Sequence, residues 1–119
     1  MTIHSIDIVS KTWRDKINGN SYSSGWLVLN WGLADEATYP ISFQCGGPQS
    51  IKHIAFGMLE ELHSITKHHV RAWHRYGCII LNDESIVPLR DIWLGRVTKK
   101  ECKSFTEHKF SSYDFSAEY

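Results

Sequence analysis

Two stretches near the N-terminus alternate apolar and polar residues with the period of two that is typical of β-strands. The first runs from Ile3 to Trp13 and the second from Tyr22 to Trp31. Between them lies Asn18-Gly19, the strongest short-range hairpin signal, because a type I′ turn needs positive φ at both central residues. The pattern predicts a long antiparallel hairpin in which Ile17 faces Asn20 across a two-residue turn.

This register gives the hairpin two faces of different character. One face is apolar and is predicted to be core: Ile6, Ile8, Leu27, Leu29 and Trp31. The other mixes aromatic and polar residues, as interfaces and ligand platforms do: Val9, Lys11, Trp13, Asp15, Tyr22, Trp26 and Val28. Trp13 and Trp26 are predicted interface residues, with burial favoured for Trp26. Trp13 and Tyr22 can equally stack on a planar ligand or lie under a second layer.

Further along the chain the pattern changes from strand to helix. Residues 38–44 alternate, with Tyr39, Ile41 and Phe43 on one face, and Pro40 indicates that this strand lies at a sheet edge or starts there. A helix of clear amphipathic character follows, and Pro48 suits its first turn. Its apolar stripe is Ile51, Ile54, Ala55, Met58, Leu59, Leu62 and Ile65.

The C-terminal half has weaker signals. Residues 68–76 predict a short helix, residues 78–81 a strand, and residues 86–93 either a strand or a helical turn that begins at Pro88. Thr98 to Glu101 is a capping box that opens a last helix to about Lys109. The fold class is therefore α+β: an antiparallel sheet built on the N-terminal hairpin, packed with an amphipathic helix and further short helices. Residues 1–110 form one domain, and residues 111–119 are a C-terminal tail.

Composition limits the classes of function. Thirteen basic and thirteen acidic side chains give a net charge of zero, which offers no bulk attraction for duplex nucleic acid or a membrane. Cys45, Cys78 and Cys102 are odd in number and far apart, as in a cytosolic protein with reduced thiols. No leader or membrane-spanning stretch is visible. The aromatic excess favours a homo-oligomer, and a dimer is expected.

A local basic segment is the first candidate for a binding site. Arg71 and Arg75 lie four residues apart, so on a helix they share a face and form a clamp suited to phosphate. The alternative is a solvated basic face without a ligand. Both interpretations stay open on the sequence alone.

The signals for catalysis and for cofactors are weaker. Cys45 precedes two glycines and a helix start, where a thiolate would be stabilised, but a loop cysteine beside turn glycines explains the same residues. The histidines and cysteines lack the paired spacing of zinc sites. There is no glycine-rich phosphate loop and no nucleophile elbow. The sequence therefore predicts a non-catalytic protein without cofactor or metal.

The stretch from Ser10 to Leu62 resembles a small-protein family that is common in bacteriophage genomes. The matching segments are Asn18 to Ser24, Gly32 to Tyr39, Phe43-Gln44 and Gly46-Gly47. They cover under half of the chain. Through them the sequence is similar to the Thoeris anti-defence sponge proteins, which sequester cyclic ADP-ribose-type signals or cyclic oligonucleotides and assemble at least as dimers.

The resemblance implies a cyclic nucleotide ligand in the host cytoplasm, with Asn20, Ser21 and Tyr22 lining the pocket. It also implies that arginines from a helical segment hold the phosphates. It leaves Arg71, Arg75, Arg90 and Arg96 as candidates, and the first two are preferred for their spacing. The competing hypothesis is a phage inhibitor that binds a protein, such as an anti-CRISPR, through the mixed face of the hairpin. A cysteine enzyme that uses Cys45 is the third.

Overall fold

The computed structural model describes residues 2–63, 70–73, 76–81 and 85–111, of which residues 63, 70–73, 76, 79 and 80 are described by their backbone alone. Six strands and two helices lie in these ranges. The strands are β1 Ile6–Asp15, β2 Asn20–Leu29, β3 Ala37–Cys45, β4 Val70–Trp73, β5 Tyr76–Ile80 and β6 Ile86–Arg96. The helices are α1 Pro48–His63 and α2 Lys99–Ser104. The α+β class predicted from the sequence is confirmed.

All six strands belong to one sheet, in the order β3-β2-β1-β6-β5-β4. Four of the five pairings are antiparallel, but β1 and β6 run parallel, with Ile6 opposite Leu89. The prediction of an antiparallel sheet is therefore wrong at this one pairing. A parallel pairing needs a long crossover, and residues 16–85 supply it with two strands, α1 and a second hairpin.

The helix predicted over residues 68–76 is wrong where the structure describes it. Val70–Trp73 and Tyr76–Ile80 are antiparallel strands, with Arg71 opposite Cys78. Residues 86–93, predicted as either a strand or a helical turn, belong to β6, the longest of the described strands, and exposed Pro88 lies within it opposite Cys78. Residues 74, 75 and 112–119 lie outside the described residues, so the tail remains a prediction.

The hairpin turn differs from its prediction. Asp15 pairs with Asn20, so the loop has four residues and the register is shifted by two. The Asp15 carboxylate accepts hydrogen bonds from the Ile17 amide, the Asn18 amide and the Asn18 side chain, which hold this longer loop. Only Gly19 in the loop has positive φ, so the turn is not type I′. Because the shift is even, the strand residues keep their predicted faces.

Helix α1 covers one face of the sheet, which we call the α1 face. Ile51, Ala55 and Leu59 are buried against the four predicted core residues Ile6, Ile8, Leu27 and Leu29. Gly25 lies in the same layer, and a Cβ atom there would stand 2.3 Å from the Val9 carbonyl oxygen and 2.7 Å from Ile51 Cγ2. Glycine is therefore required at this position, between the β1 backbone and α1.

Helix α2 and the segment after it cover the opposite face, which we call the α2 face. Val9, Trp26, Val28 and Phe110 are its buried cluster. The α2 helix begins at the Thr98 cap, whose side chain accepts from the Glu101 amide, but it ends at Ser104 rather than near Lys109. The predicted capping residue is correct and the predicted helix length is not.

Trp31 was predicted on the α1 face and lies on the other. It packs against Phe110 with ring centroids 5.4 Å apart. Asn30, the one non-glycine residue with positive φ among the described residues, turns the chain over at the end of β2. The Asn30 side chain is buried, accepts from the His4 amide and donates to the Thr2 carbonyl, so this left-handed conformation is held in place.

A row of hydroxyl groups joins β6, β1 and β2 on the α1 face. Trp93 Nε1 donates to Thr12 Oγ1 at 3.1 Å, and Ser23 Oγ donates to the Gly46 carbonyl at 2.9 Å. Thr12 Oγ1 and Ser23 Oγ are 3.1 Å apart. Since the Ser23 proton is used on Gly46, Thr12 is the donor between them. The row fixes the start of α1 relative to the sheet.

Candidate functional site

Three aromatic rings meet on the α2 face where the hairpin approaches its turn. Tyr22 and Phe43 stack with ring planes 2° apart and centroids 5.3 Å apart. Trp13 lies beside Tyr22 at 5.4 Å and near Phe43 at 6.4 Å. We call Trp13, Tyr22 and Phe43 the aromatic cluster. Of the three, Trp13 is the ring that also borders a cleft.

Phe43 joins this cluster because β3 is irregular. The pairing of β2 with β3 shifts between Ser23 and Gly25, as a β-bulge does. Tyr39 and Ile41 pack against the α1-face core, as predicted, whereas Phe43 stacks on Tyr22 on the other side. The prediction that all three share one face is therefore wrong for Phe43. The strict alternation of residues 38–44 hid this change of face.

Lysines of α2 lie over two of the rings. Lys99 Nζ is 5.2 Å from the centroid of Trp13, and Lys103 Nζ is 5.4 Å from that of Phe43. These two residues are four apart, so one side of the short helix carries both ammonium groups. Cation–π attraction of this kind is worth about 0.5–1 kcal/mol at exposed sites.

The cleft beside Trp13 has a volume of about 740 Å³ and opens between the hairpin turn and the start of α2. Its apolar wall is formed by Trp13, Ile17 and Val97. Its charged lining has four cations and two carboxylates: Arg14, Lys16, Arg96, Lys99, Asp15 and Glu101. The cleft is therefore a basic site in a chain of zero net charge, bordered by one large aromatic ring.

Asp15 is the carboxylate of this lining that also holds the hairpin turn. Its oxygens accept three hydrogen bonds from the turn. The bond from the Asn18 side chain is the main cause that lowers the pKa of Asp15 below 3.8, and the nearby Lys99 ammonium lowers it further. Asp15 thus remains ionised and is committed to holding the loop that presents Lys16 and Ile17.

No protein-family model, no curated protein and no solved structure matches this chain. The three residues predicted to line the pocket are consecutive at the start of β2. Asn20 is exposed at the start of β2, Ser21 is half-buried and accepts the Gly46 amide at its carbonyl, and Tyr22 is in the aromatic cluster. Their role in binding a ligand stays a prediction.

The structure describes one of the two residues of the predicted phosphate clamp. Arg71 is in β4, at the far edge of the sheet from β2, and Arg75 lies outside the described residues. Four strand spacings of about 4.8 Å separate β2 from β4, which is roughly 19 Å. Because Val70–Trp73 is a strand, the helical face that was to join the two arginines does not form. Within one chain, β4 is at the edge of the sheet opposite to β3, the strand that carries Phe43 of the aromatic cluster.

The two predicted interface residues, Trp13 and Trp26, differ in how far they are buried. Trp13 is half-buried and borders the cleft. Trp26 is 4% exposed, and its Nε1 donates to the Phe105 carbonyl beneath the segment that follows α2. That burial leaves Trp26 no surface for a partner, so its assignment as an interface residue is corrected to core.

The other two arginines that were candidates to hold phosphate, Arg90 and Arg96, lie in different surroundings. Arg90 donates to the buried carboxylate of Asp7 and lies over Trp31, with Cζ 5.0 Å from the ring centroid. Arg96 is exposed and lines the cleft with Arg14. Sequence reasoning missed Arg14, Lys16 and Lys99 as a group. No sequence signal groups them, because the hairpin turn and α2 come together only through the β1–β6 pairing.

Cys45 is the last residue of β3. It pairs with Tyr22 across β2 and β3, so its exposed side chain points to the α2 face, away from α1. The described residues also contain no group of three side chains suited to hold a metal ion. Neither helix in the described ranges has the length and apolar character needed to cross a bilayer.

Proposed function

We propose that this protein is a non-catalytic phage anti-defence protein that binds and sequesters a cyclic nucleotide immune signal, of the cyclic ADP-ribose type or a cyclic oligonucleotide. The observation that carries the proposal is the cleft, which is lined by Trp13 together with Arg14, Lys16, Arg96 and Lys99. A nucleotide has the complementary parts, a planar base and phosphates. Base stacking on an aromatic ring contributes about 1–3 kcal/mol.

The charges of the cleft agree with a phosphorylated ligand. Two of its cations are guanidinium groups, which hold phosphate oxygens in pairs, and two are lysines, which act as point charges. A local basic cleft in a neutral chain favours a small anion over duplex nucleic acid, which needs an extended basic surface. No chemical step is required of these groups, and binding alone is the proposed activity.

Sequestration of a scarce signal calls for about nanomolar affinity, which corresponds to roughly −12 kcal/mol. A ligand held so tightly is usually enclosed, whereas this cleft is largely open to solvent. We therefore include a homodimer in the host cytoplasm in the proposal, with a second subunit closing the cleft. In such a dimer Asn20, Ser21, Arg71 and Arg75 would be free to contribute from either subunit.

Calorimetric titration with cyclic ADP-ribose isomers and cyclic oligonucleotides tests the proposal. Trp13→Ala should weaken binding about tenfold or more, because the stacking surface is lost. The control is Lys100→Gln, since Lys100 is exposed on α2 beside Lys99 and does not line the cleft. Folded wild-type protein that binds none of these ligands would contradict the proposal.

A second candidate function rests on the tip of the hairpin. Ile17 is 94% exposed, although the loop around it is held by four hydrogen bonds to Asp15, three to its carboxylate and one from the Gly19 amide to its carbonyl. An exposed apolar side chain on a loop whose backbone is hydrogen-bonded is suited to insertion into a pocket of a target protein. This arrangement favours an inhibitor that binds protein. A stoichiometric host protein that is retained by wild-type protein and lost with Ile17→Asp would support this second function.

A further inference from the structure

Lys99 and Trp13 meet inside the proposed binding cleft in a way that bears on which ligands it accepts. The ammonium group lies 5.2 Å from the Trp13 ring centroid, and both side chains line the cleft. On another side Trp13 is already packed against Tyr22. The Lys99 ammonium therefore lies over a ring on which a planar ligand in the cleft would stack.

The position of Lys99 in α2 leaves its side chain able to move. Lys99 is the first residue of the helix, directly after the Thr98 cap. The backbone at this point is held by the bond from the Glu101 amide to Thr98, while the lysine side chain is exposed. Its described contacts are the Trp13 ring and the charge of Asp15, and both are weak attractions across water.

We infer that Lys99 is a specificity-determining residue that exchanges the Trp13 ring for a phosphate group when a ligand binds. A phosphorylated ring compound draws the ammonium onto its phosphate and uncovers the ring for its base. A ring compound without phosphate must displace the ammonium and offers nothing in return. The cleft thus selects phosphorylated ring compounds against free nucleosides. This inference rests on the proposed function and adds the residue that sets its selectivity.

The chain supplies a matched control. Lys103 makes the same kind of contact with Phe43, at 5.4 Å, on the same helix, but it does not line the cleft. Replacing either lysine by glutamine removes one charge and one cation–π contact. Only the change at Lys99 should alter the balance between phosphorylated and unphosphorylated ligands.

The first experiment compares ADP with adenosine by calorimetry. Lys99→Gln should weaken the binding of ADP about tenfold or more, because a charge-assisted hydrogen bond is lost. The same change should strengthen the binding of adenosine about two- to fivefold, because the Trp13 ring is uncovered. Lys103→Gln should shift neither by more than about twofold. A Lys99→Gln protein in which both ligands weaken together, or in which neither changes, overturns the inference while the proposed function stands.

The second experiment needs no ring-bearing ligand. Inorganic pyrophosphate added to wild-type protein should raise the quenching of tryptophan emission by acrylamide, since the ammonium leaves Trp13. The increase should be absent in Lys99→Gln and in Trp13→Phe, and present in Lys103→Gln. If pyrophosphate has no effect on the wild-type protein, the exchange is overturned. A positive pyrophosphate result with no binding of any nucleotide supports the exchange and contradicts the proposed function instead.

Discussion

At the scale of single residues, the fold depends on two kinds of backbone position. One has no side chain, and the other has a left-handed conformation after which the side chains change face. Gly25 has no Cβ where α1 approaches the sheet, and Asn30 takes a left-handed conformation that sends Trp31 to the α2 face. Neither role can be derived from hydrophobic alternation, because alternation assumes an uninterrupted strand. The buried core residues Ile6, Ile8, Leu27 and Leu29 were predicted correctly because they lie within uninterrupted strand.

Gly25→Ala should lower the free energy of unfolding by about 1–3 kcal/mol, because a methyl group at this site would overlap the Val9 carbonyl and Ile51. The control is Gly57→Ala in α1, where an added Cβ meets nothing within 4 Å. That change should raise stability by up to about 1 kcal/mol, because alanine favours the helix. Urea denaturation measures both, and a Gly25→Ala protein as stable as wild type would show that the approach of α1 is not tight.

At the scale of elements, the hairpin shows how far local signals reach. The strands and their faces follow from the sequence pattern, but the turn was assigned from Asn18-Gly19 alone. The competing signal was Asp15, whose carboxylate caps a four-residue loop. The residues of the cleft could not be predicted for a further reason. They come from the hairpin turn and from α2, and only the sheet topology brings these elements together.

Asp15→Ala should destabilise the hairpin turn at neutral pH and have less effect in acid. The pKa of Asp15 is lowered in the folded state, chiefly by the hydrogen bond from Asn18. A lowered pKa means that the carboxylate stabilises the fold fully above its unfolded value, near 3.8, and that this contribution is lost as the pH falls through the folded value.

Chemical denaturation at pH 6 and at pH 2–3 checks this expectation. The difference in stability between wild type and Asp15→Ala should shrink at the lower pH. Asp35→Ala, a change at an exposed acid in the connection after β2, is the control and should show no such trend. A constant difference across this range would mean that the carboxylate charge does not hold the loop.

At the scale of the whole molecule, the pairing of β1 with β6 joins two parts of the fold. On one side are the N-terminal hairpin, β3 and α1, and on the other the hairpin of β4 and β5. The Asp7–Arg90 ion pair crosses this junction on the α2 face. Asp7 is 1% exposed, and burial raises its pKa above 3.8 even though the Arg90 guanidinium opposes the shift.

Arg90→Met should therefore cost about 3–5 kcal/mol at pH 7, because it leaves a buried carboxylate without its cation. The raised pKa of Asp7 determines how the stability of the fold changes with pH. The folded state holds the Asp7 proton more strongly than the unfolded chain, so stability declines as the pH rises through the folded value. The decline should be steeper in the variant.

The double variant Asp7→Leu/Arg90→Met should recover most of the loss, since no unpaired charge then remains in the junction. Arg96→Met, an exposed arginine on the same strand, is the control and should change stability by no more than about 0.5 kcal/mol. Thermal and urea denaturation between pH 4 and pH 8 measure all four proteins. Equal losses for Arg90→Met and Arg96→Met would contradict a stabilising role for the ion pair.

The parallel pairing also has a consequence for how the chain reaches this structure. The two residues that meet at its start, Ile6 and Leu89, are 83 positions apart, so β1 is made long before β6. During synthesis the hairpin can close within microseconds, yet one edge of β1 stays open until residues 86–96 have left the ribosome. An open edge of this kind is a template for wrong pairing. Slowing translation between β5 and β6 should therefore favour aggregation of nascent chains, a hazard created by topology and invisible in the finished fold.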